Sequence, residues 1–407
     1  MQIIQSQPTT NPKAIAKIRW GMFFGGFSAF TLLYACQPLM PMLSAEFNLN
    51  ATQASWVLSI SMISLAISLL VISFLSNFIN HVKLMSGALL AAAIAMLFSA
   101  TSSSFNELLC FRALLGIALG GLPAVAATFL SNQIERSQLP KVIGFYIAGT
   151  ALGGMTGRIL AAVLSELIGW RSTFLLLGIS GVVSALLFIK LLSLAEKNVT
   201  TTFQWNFLSA ISKTLKPQLQ QPAYWALFAI GFFLTGSFTG LFNYINFRLQ
   251  QSPYEISQSA LSSLTLLYIF GIWSSFCSAR IVARLGYARA ITGSLTLMLI
   301  GLWITSNSGL LLIILGISIF TFGFFLSHTL CSSYLASLVN LNKSIITAIY
   351  LFSYYLGSSV LGSYSGVAWQ AGGWQQLTWL LSLFITTCIV ISRVIYTQET
   401  VHGKLSN

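Results

Sequence analysis

Two arginines and one histidine stand inside apolar runs long enough to cross a lipid bilayer, and these are the residue types from which chemistry can start. Arg112 belongs to the stretch Phe111 to Pro123, where Arg112, Gly116, Gly120 and Pro123 recur at helical spacing and share one face. Arg158 closes the stretch Gly-Thr-Ala-Leu-Gly-Gly-Met-Thr-Gly-Arg, and His328 lies near the middle of a further apolar run. A guanidinium is costly in hydrocarbon, so each arginine must face a protein interior or a water-filled cavity. There it stays charged, and its planar fork matches a carboxylate or a phosphate. An imidazole titrates near neutrality and can relay a proton. The chain holds no aspartate, and its glutamates (Glu46, Glu107, Glu135, Glu166, Glu196, Glu255 and Glu399) all avoid the middle of the apolar runs. A buried carboxylate tuned to working pH, the common intramembrane proton carrier, is therefore missing.

The elements that must position these residues are membrane helices. Of 407 residues only 7% are charged and 56% are hydrophobic. The apolar runs are long enough to span about 30 Å of hydrocarbon at about 1.5 Å per residue, and too long for barrel strands. They predict an all-α membrane protein of twelve spans, approximately 18–43, 54–78, 84–102, 107–130, 141–166, 172–193, 223–247, 258–281, 288–306, 310–335, 343–368 and 375–396. On this reading Arg112 lies about 9 Å and Arg158 about 13 Å from the outer ends of their spans, at comparable depth in one bundle.

The net charge of +13 sits mostly in short loops on one side, so it reports topology and not a nucleic-acid partner. With both termini cytoplasmic, only Arg171 and Arg248 of the 20 lysines and arginines fall on the outer side, and Arg112 and Arg158 fall within spans. The start, Met1 to Lys17, lacks the short apolar segment and cleavage site of a signal peptide. Cys36, Cys110, Cys277, Cys331 and Cys388 are scattered through apolar runs without metal-like spacing and read as small core residues. No metal, cofactor or nucleotide-binding Gly-x-x-x-x-Gly-Lys-Ser/Thr stretch is expected.

The longest polar gap, 194–222, has six spans on each side. The chain divides accordingly into a cytoplasmic tail 1–17, a six-helix bundle 18–193, a cytoplasmic linker 194–222, a second bundle 223–396 and a tail 397–407. The halves match: Tyr146, Gly153 and Gly169-Trp170 return 204 positions later as Tyr350, Gly357 and Gly373-Trp374. Phe47-Asn48-Leu49 is echoed 207 positions later by Tyr254-Glu255-Ile256. A near-constant offset through helices in the same order predicts parallel repeats related by an axis along the membrane normal.

Two six-helix halves with a basic central loop resemble the major facilitator superfamily. Arg112 to Gly121 is similar to its fourth-helix motif, an arginine followed by spaced glycines. Gly149 to Arg158 is similar to the fifth-helix glycine motif of the drug/proton antiporter branch, with Gly154 where that branch has proline and Arg158 where it has glycine. The Gly-Gly-Met-Thr-Gly-Arg form, with Phe-Asn-Tyr-Ile-Asn-Phe-Arg-Leu (242–249) and Tyr-Leu-Phe-Ser-Tyr-Tyr-Leu-Gly (350–357), resembles a bacterial inner-membrane subgroup described mostly as efflux proteins. The family's Gly-x-x-x-Asp-Arg-x-Gly-Arg loop is replaced between spans two and three by Ser73, Asn77, Phe78, Asn80 and His81. Its second copy, Ala279 to Gly286, keeps Arg284 and Gly286 but has Ala283 at the acid position.

The resemblance implies a monomeric, alternating-access secondary transporter of a small organic solute in the bacterial inner membrane, not an enzyme. Spans one and seven line the central cavity in the family, which makes Tyr34, Gln37, Asn243 and Asn246 expected lining residues. Arg112 and Arg158 point to an anionic or zwitterionic substrate such as a carboxylate metabolite or siderophore, the anion resting between two cations that would otherwise repel. Each arginine has a structural alternative, capping backbone carbonyls, pairing with an end-of-helix glutamate or lining a gate. His328 is the candidate proton carrier, with a hydrogen-bonded packing role as its alternative. Export is the expected direction, import the rival, and a transporter-like membrane sensor the rival from another class.

Overall fold

The computed structural model describes residues 11–75, 78–135, 138–192, 215–216, 218–338 and 343–405. Nearly all of them are helical. In chain order the helices are α1 (Pro12–Tyr34), α2 (Met40–Glu46), α3 (Ala51–Leu75), α4 (His81–Ala100), α5 (Phe105–Leu119), α6 (Gly121–Gln133), α7 (Leu139–Leu192), α8 (Pro222–Gln250), α9 (Gln258–Ser262), α10 (Tyr268–Ile304), α11 (Leu310–Leu338) and α12 (Lys343–Leu405). A 3-10 turn, Ser263–Leu267, joins α9 to α10. Among the described residues, eight helical stretches are long and apolar enough to cross a membrane, and three of them, Lys141–Leu192, Gln258–Ile304 and Ile345–Thr397, run to 52, 47 and 53 residues. At about 1.5 Å per residue each of the three exceeds twice the hydrocarbon thickness.

Glycines break these long helices. Gly169 in α7 has φ 78° and ψ 161°, and Gly286 in α10 has φ 75° and ψ 170°. This region of backbone space is essentially closed to residues with a Cβ. In α12 the break falls at Gly372 and Gly373, the latter with φ 60°. The Gly-Trp repeat noticed in the sequence therefore marks the corner of a helical hairpin in each half.

The chain forms two compact units, one of Met1–Leu39 and Ile60–Gln204, the other of Met40–Ser59 and Trp205–Asn407. Residues 40–59, expected in the first bundle, pack with the second. Ser55 donates to Ser363 Oγ at 2.9 Å, Ser59 and Ser363 share a hydrogen bond of 2.6 Å, and Ser359 donates to the Ser59 carbonyl at 2.8 Å. The expected linker 194–222 lies mostly outside the described residues, as do Lys197, Lys213, Arg136 and Asn77.

In the first unit, both legs of α7 pack on α1. A Cβ on Gly149, Gly153 or Gly157 would run into the backbone of Phe23, Phe27 or Thr31, so this leg lies parallel to α1 at the closest approach glycine allows. Past Gly169 the order reverses: Gly181 meets Leu32, Phe188 meets Gly25 and Leu192 meets Gly21. The second unit repeats the device. Gly357 meets the Phe232 backbone, Leu361 meets Gly236 and Ser365 meets Gly240. Beyond Gly373, Leu381 returns to Gly240, and Cys388 Sγ to the Ile230 carbonyl at 3.7 Å. The α1–α7 pairing thus recurs as α8–α12, the internal repeat expressed as helix packing.

Two departures from expectation have plain causes. The first span breaks at Tyr34 because Pro38, four residues on, has no N–H for the Tyr34 carbonyl and its ring would collide with it; the Gln37 N–H takes that carbonyl instead at 3.0 Å. And although Cys36, Cys331 and Cys388 are buried, Cys110 is exposed and Cys277 half-buried, so the cysteines are not uniformly core residues. An apolar run alone does not say which side of a helix faces lipid.

Candidate functional site

The broken end of α1 organises the charged site of the first unit. The last carbonyls of any helix lack an intrahelical partner, and here the helix stops where water is scarce. Arg112, on α5, is wholly buried and donates from Nη1 to the Leu32 carbonyl at 3.0 Å and from Nη2 to the Leu33 carbonyl at 2.6 Å. Nη2 also reaches Cys36 Sγ at 3.2 Å, and Nη1 lies 3.9 Å from Met96 Sδ. A cation at the C-terminal end of α1 also complements its dipole. The glycines that follow Arg112 bring α3 close: Ser61 donates to the Arg112 carbonyl at 3.0 Å and Ser68 to the Ile117 carbonyl at 2.6 Å, facing Gly116 and Gly120.

Arg158 reaches the same end of α1 from α7. Its Nε donates to Gln37 Oε1 at 2.6 Å, its Nη1 to the Gly154 carbonyl at 2.7 Å, and its guanidinium carbon sits 3.8 Å from the centre of the Tyr34 ring. A Cβ on Gly154 would stand 3.3 Å from Nη1 and 3.4 Å from the Tyr34 ring, so glycine there leaves room for the arginine to fold back. Stacking on the ring face is an electrostatic attraction of about 2 kcal/mol when desolvated. Arg158 keeps 5% of its surface exposed, whereas Arg112 keeps none. Gln37, Gly154 and Tyr34 are neutral groups that orient the Arg158 guanidinium.

The structure thus joins Arg158, Tyr34 and Gln37 into one cluster, with Arg112 on neighbouring carbonyls. It does not give Arg112 an accessible face. Arg112 Nη1 and Nη2 donate to the Leu32 and Leu33 carbonyls and to Cys36, whereas Arg158 turns to Gln37 and Gly154. The sequence contained one signal for this, Pro38 placed four residues after Tyr34.

The remaining expected residues lie in the second unit. Asn243 on α8 is wholly buried, with Nδ2 3.8 Å from where a Cβ on Gly362 would be, and Asn246 is half-buried. His328 on α11 shares a 3.0 Å hydrogen bond between Nδ1 and Tyr350 Oη on α12, and its ring centre lies 4.6 Å from that of Tyr354. Next to it, Phe324 stacks on Phe238 at 3.8 Å, and Tyr268 stands 5.5 Å from Phe238. The sequence named His328 and the tyrosines of span eleven separately; only the packing of α11 on α12 pairs them. Arg248, in the last turn of α8, has a capping task like that of Arg112. It donates to the Thr305 carbonyl and, at 2.7 Å, to that of Asn307, just past the end of α10.

The family model of the Major Facilitator Superfamily matches residues 22–362. The chain is 36% identical over 375 residues to the inner membrane transport protein YnfM of Escherichia coli, covering 92% of this chain and 89% of that protein. It is 35% identical over 376 residues to the uncharacterized MFS-type transporter YybF of Bacillus subtilis, covering 92% of each. Among solved structures, a bacterial homologue of the human lysosomal transporter Spinster, in an inward-facing and unoccupied conformation, superposes with a TM-score of 0.76. That likeness covers 96% of this chain and 99% of the other at 14% identity, a similarity of fold alone. The helical hairpins, the intramembrane arginines and these matches define a multi-pass membrane transporter and not an enzyme. The chain belongs to the major facilitator superfamily.

Proposed function

We propose that this protein is a twelve-span secondary active transporter that moves a small organic anion or zwitterion across the bacterial inner membrane by alternating access. The count of twelve follows from taking each of the three long stretches as two crossings at its glycine break, with α1 and α2 together as one crossing and α5 and α6 together as one. The loop charges place both termini in the cytoplasm. The observation that carries the substrate class is Arg158, an arginine within an apolar helix that is oriented by Gln37, Gly154 and Tyr34. In a chain without aspartate and without mid-span glutamate, a substrate carboxylate is the natural counter-ion, and a planar arginine binds it bidentately. A carboxylate-bearing metabolite or siderophore has this chemistry. Tyr34 supplies an apolar wall, and Arg112 acts by holding the end of α1 on which Tyr34 and Gln37 are carried.

Export is the direction implied by the resemblance to the antiporter branch, and His328 with Tyr350 is the pair assigned to proton coupling. The protein works as a monomer in this reading. The test is uptake and efflux of labelled organic anions in proteoliposomes, after a thermal-stabilisation screen of carboxylates has found a ligand. Arg158→Ala should remove transport while the purified protein keeps its elution profile, and Arg158→Lys should restore little of it, because an ammonium lacks the planar fork. Wild-type transport by Arg158→Ala would refute the assignment. Accumulation in cells with and without the protein decides between export and import.

A further inference from the structure

A second cationic site lies far along the chain from this cluster, where the second leg of α10 begins and α12 nears its end. Ala288, Arg289, Thr292, Arg393 and Tyr396 line a cleft of about 300 Å³. Beside it Thr292 and Ser392 share a hydrogen bond of 2.8 Å across the two helices, and Thr292 also bonds to the Ala288 carbonyl at 2.9 Å. Its walls are the guanidiniums of Arg289 and Arg393, both exposed, with Tyr396 at the rim. Among the described residues no hydrogen bond or ion pair ties down either guanidinium. The pattern of the family loop explains part of this surplus, since Ala283 occupies its acid position a few residues before Arg289.

The surface next to the cleft is apolar. Below Arg289 on the same face of α10 come Gly293, with nothing within 4 Å of its Cβ position, and then Leu297, 40% exposed. Below Arg393 on α12 come Val390 and Leu383, 56% and 62% exposed. Two exposed arginines over a strip of exposed apolar side chains form an amphipathic site. A soluble anion would use only the upper half. A phospholipid uses both, its phosphate on the arginines and its acyl chains along Gly293, Leu297 and Val390. We propose that Arg289, Arg393 and Tyr396 bind the headgroup of an anionic phospholipid from the leaflet on the side that carries most of the loop cations. Basic pockets between membrane helices on that side suit such headgroups, and arginine suits their phosphodiester.

The test uses the full-length protein in neutral detergent, with native mass spectrometry to count retained lipids and a thermal melt in parallel. Phosphatidylglycerol should be retained and should raise the melting midpoint, while phosphatidylcholine and inorganic phosphate at equal concentration should not. At about fivefold in affinity per basic residue, Arg393→Gln should weaken phosphatidylglycerol binding about fivefold and Arg289→Gln with Arg393→Gln about 30-fold. Both side chains are exposed, so the single variant should keep the wild-type midpoint in lipid-free detergent and report binding independently of folding. Unchanged phosphatidylglycerol binding in the double variant overturns the proposal. So does equal retention of phosphatidylcholine by the wild type, or an equal shift with inorganic phosphate alone, which would make the cleft a site for a free anion.

Discussion

Replacing Arg112 by leucine separates a structural arginine from a transport arginine. The side chain is wholly buried and makes two short bonds to backbone carbonyls, to Leu32 at 3.0 Å and to Leu33 at 2.6 Å. A hydrogen bond to a charged group contributes about 1.5–3 kcal/mol net, so the two together are worth about 3–6 kcal/mol. Removing the guanidinium also removes the cost of keeping a charge out of water, which returns several kcal/mol. The balance still favours the native residue, because leucine leaves the Leu32 carbonyl without this donor and the Leu33 carbonyl with only a long contact from the Cys36 thiol at 3.7 Å, at about 1–3 kcal/mol for each. We expect a net loss of about 2–4 kcal/mol, seen as a clearly lowered thermal midpoint of the purified protein and weaker accumulation in the membrane. Transport per folded molecule should fall through misplacement of Tyr34 and Gln37. Arg158→Gln, which loses the bonds to Gln37 and Gly154 and the stack on Tyr34, should also lower the midpoint, but its transport per folded molecule should be abolished rather than reduced. An Arg112→Leu protein with the wild-type midpoint but no transport would refute the capping role and return Arg112 to the substrate.

Three further outcomes follow from the same geometry. Gly153→Val should prevent stable folding, because its side chain would enter the Phe27 backbone where α7 crosses α1, whereas Gly87→Ala, with open space at its Cβ, should melt like wild type; equal yields of the two by fluorescence size exclusion would contradict the packing. Gly169→Ala should cost about 1–3 kcal/mol, since the residue holds φ 78° and ψ 161°, and a thermal melt unchanged from wild type would count against that corner. If His328 carries the proton, His328→Gln should abolish pH-driven transport in proteoliposomes yet keep substrate exchange, and Tyr350→Phe, which deletes the 3.0 Å bond to Nδ1, should shift the pH profile with less loss of rate. Normal pH-driven transport by His328→Gln would exclude the role.

Composition and the length of the apolar runs determined by themselves that this is a helical membrane protein, since hydrocarbon leaves the backbone no other way to satisfy its polar groups. The Gly-Trp repeat, at Gly169-Trp170 and Gly373-Trp374, was legible because a corner needing positive φ narrows the choice of residue to glycine. Arg112 and Arg158 were legible as exceptions, a charge in lipid being costly enough to stand out. What the two arginines do was decided only by tertiary structure. Their depths looked alike from the sequence, yet one is sealed on the carbonyls of a helix broken by Pro38 and the other is folded over Tyr34 beside Gln37 with some surface open. Partners such as Leu32, Leu33 and Gly154 act through backbone carbonyls, which every residue type possesses, so no pattern of side chains announces them. The same holds for His328 and Tyr350, Thr292 and Ser392, or Arg289 and Arg393, whose meetings depend on helices that return to each other after long stretches of chain.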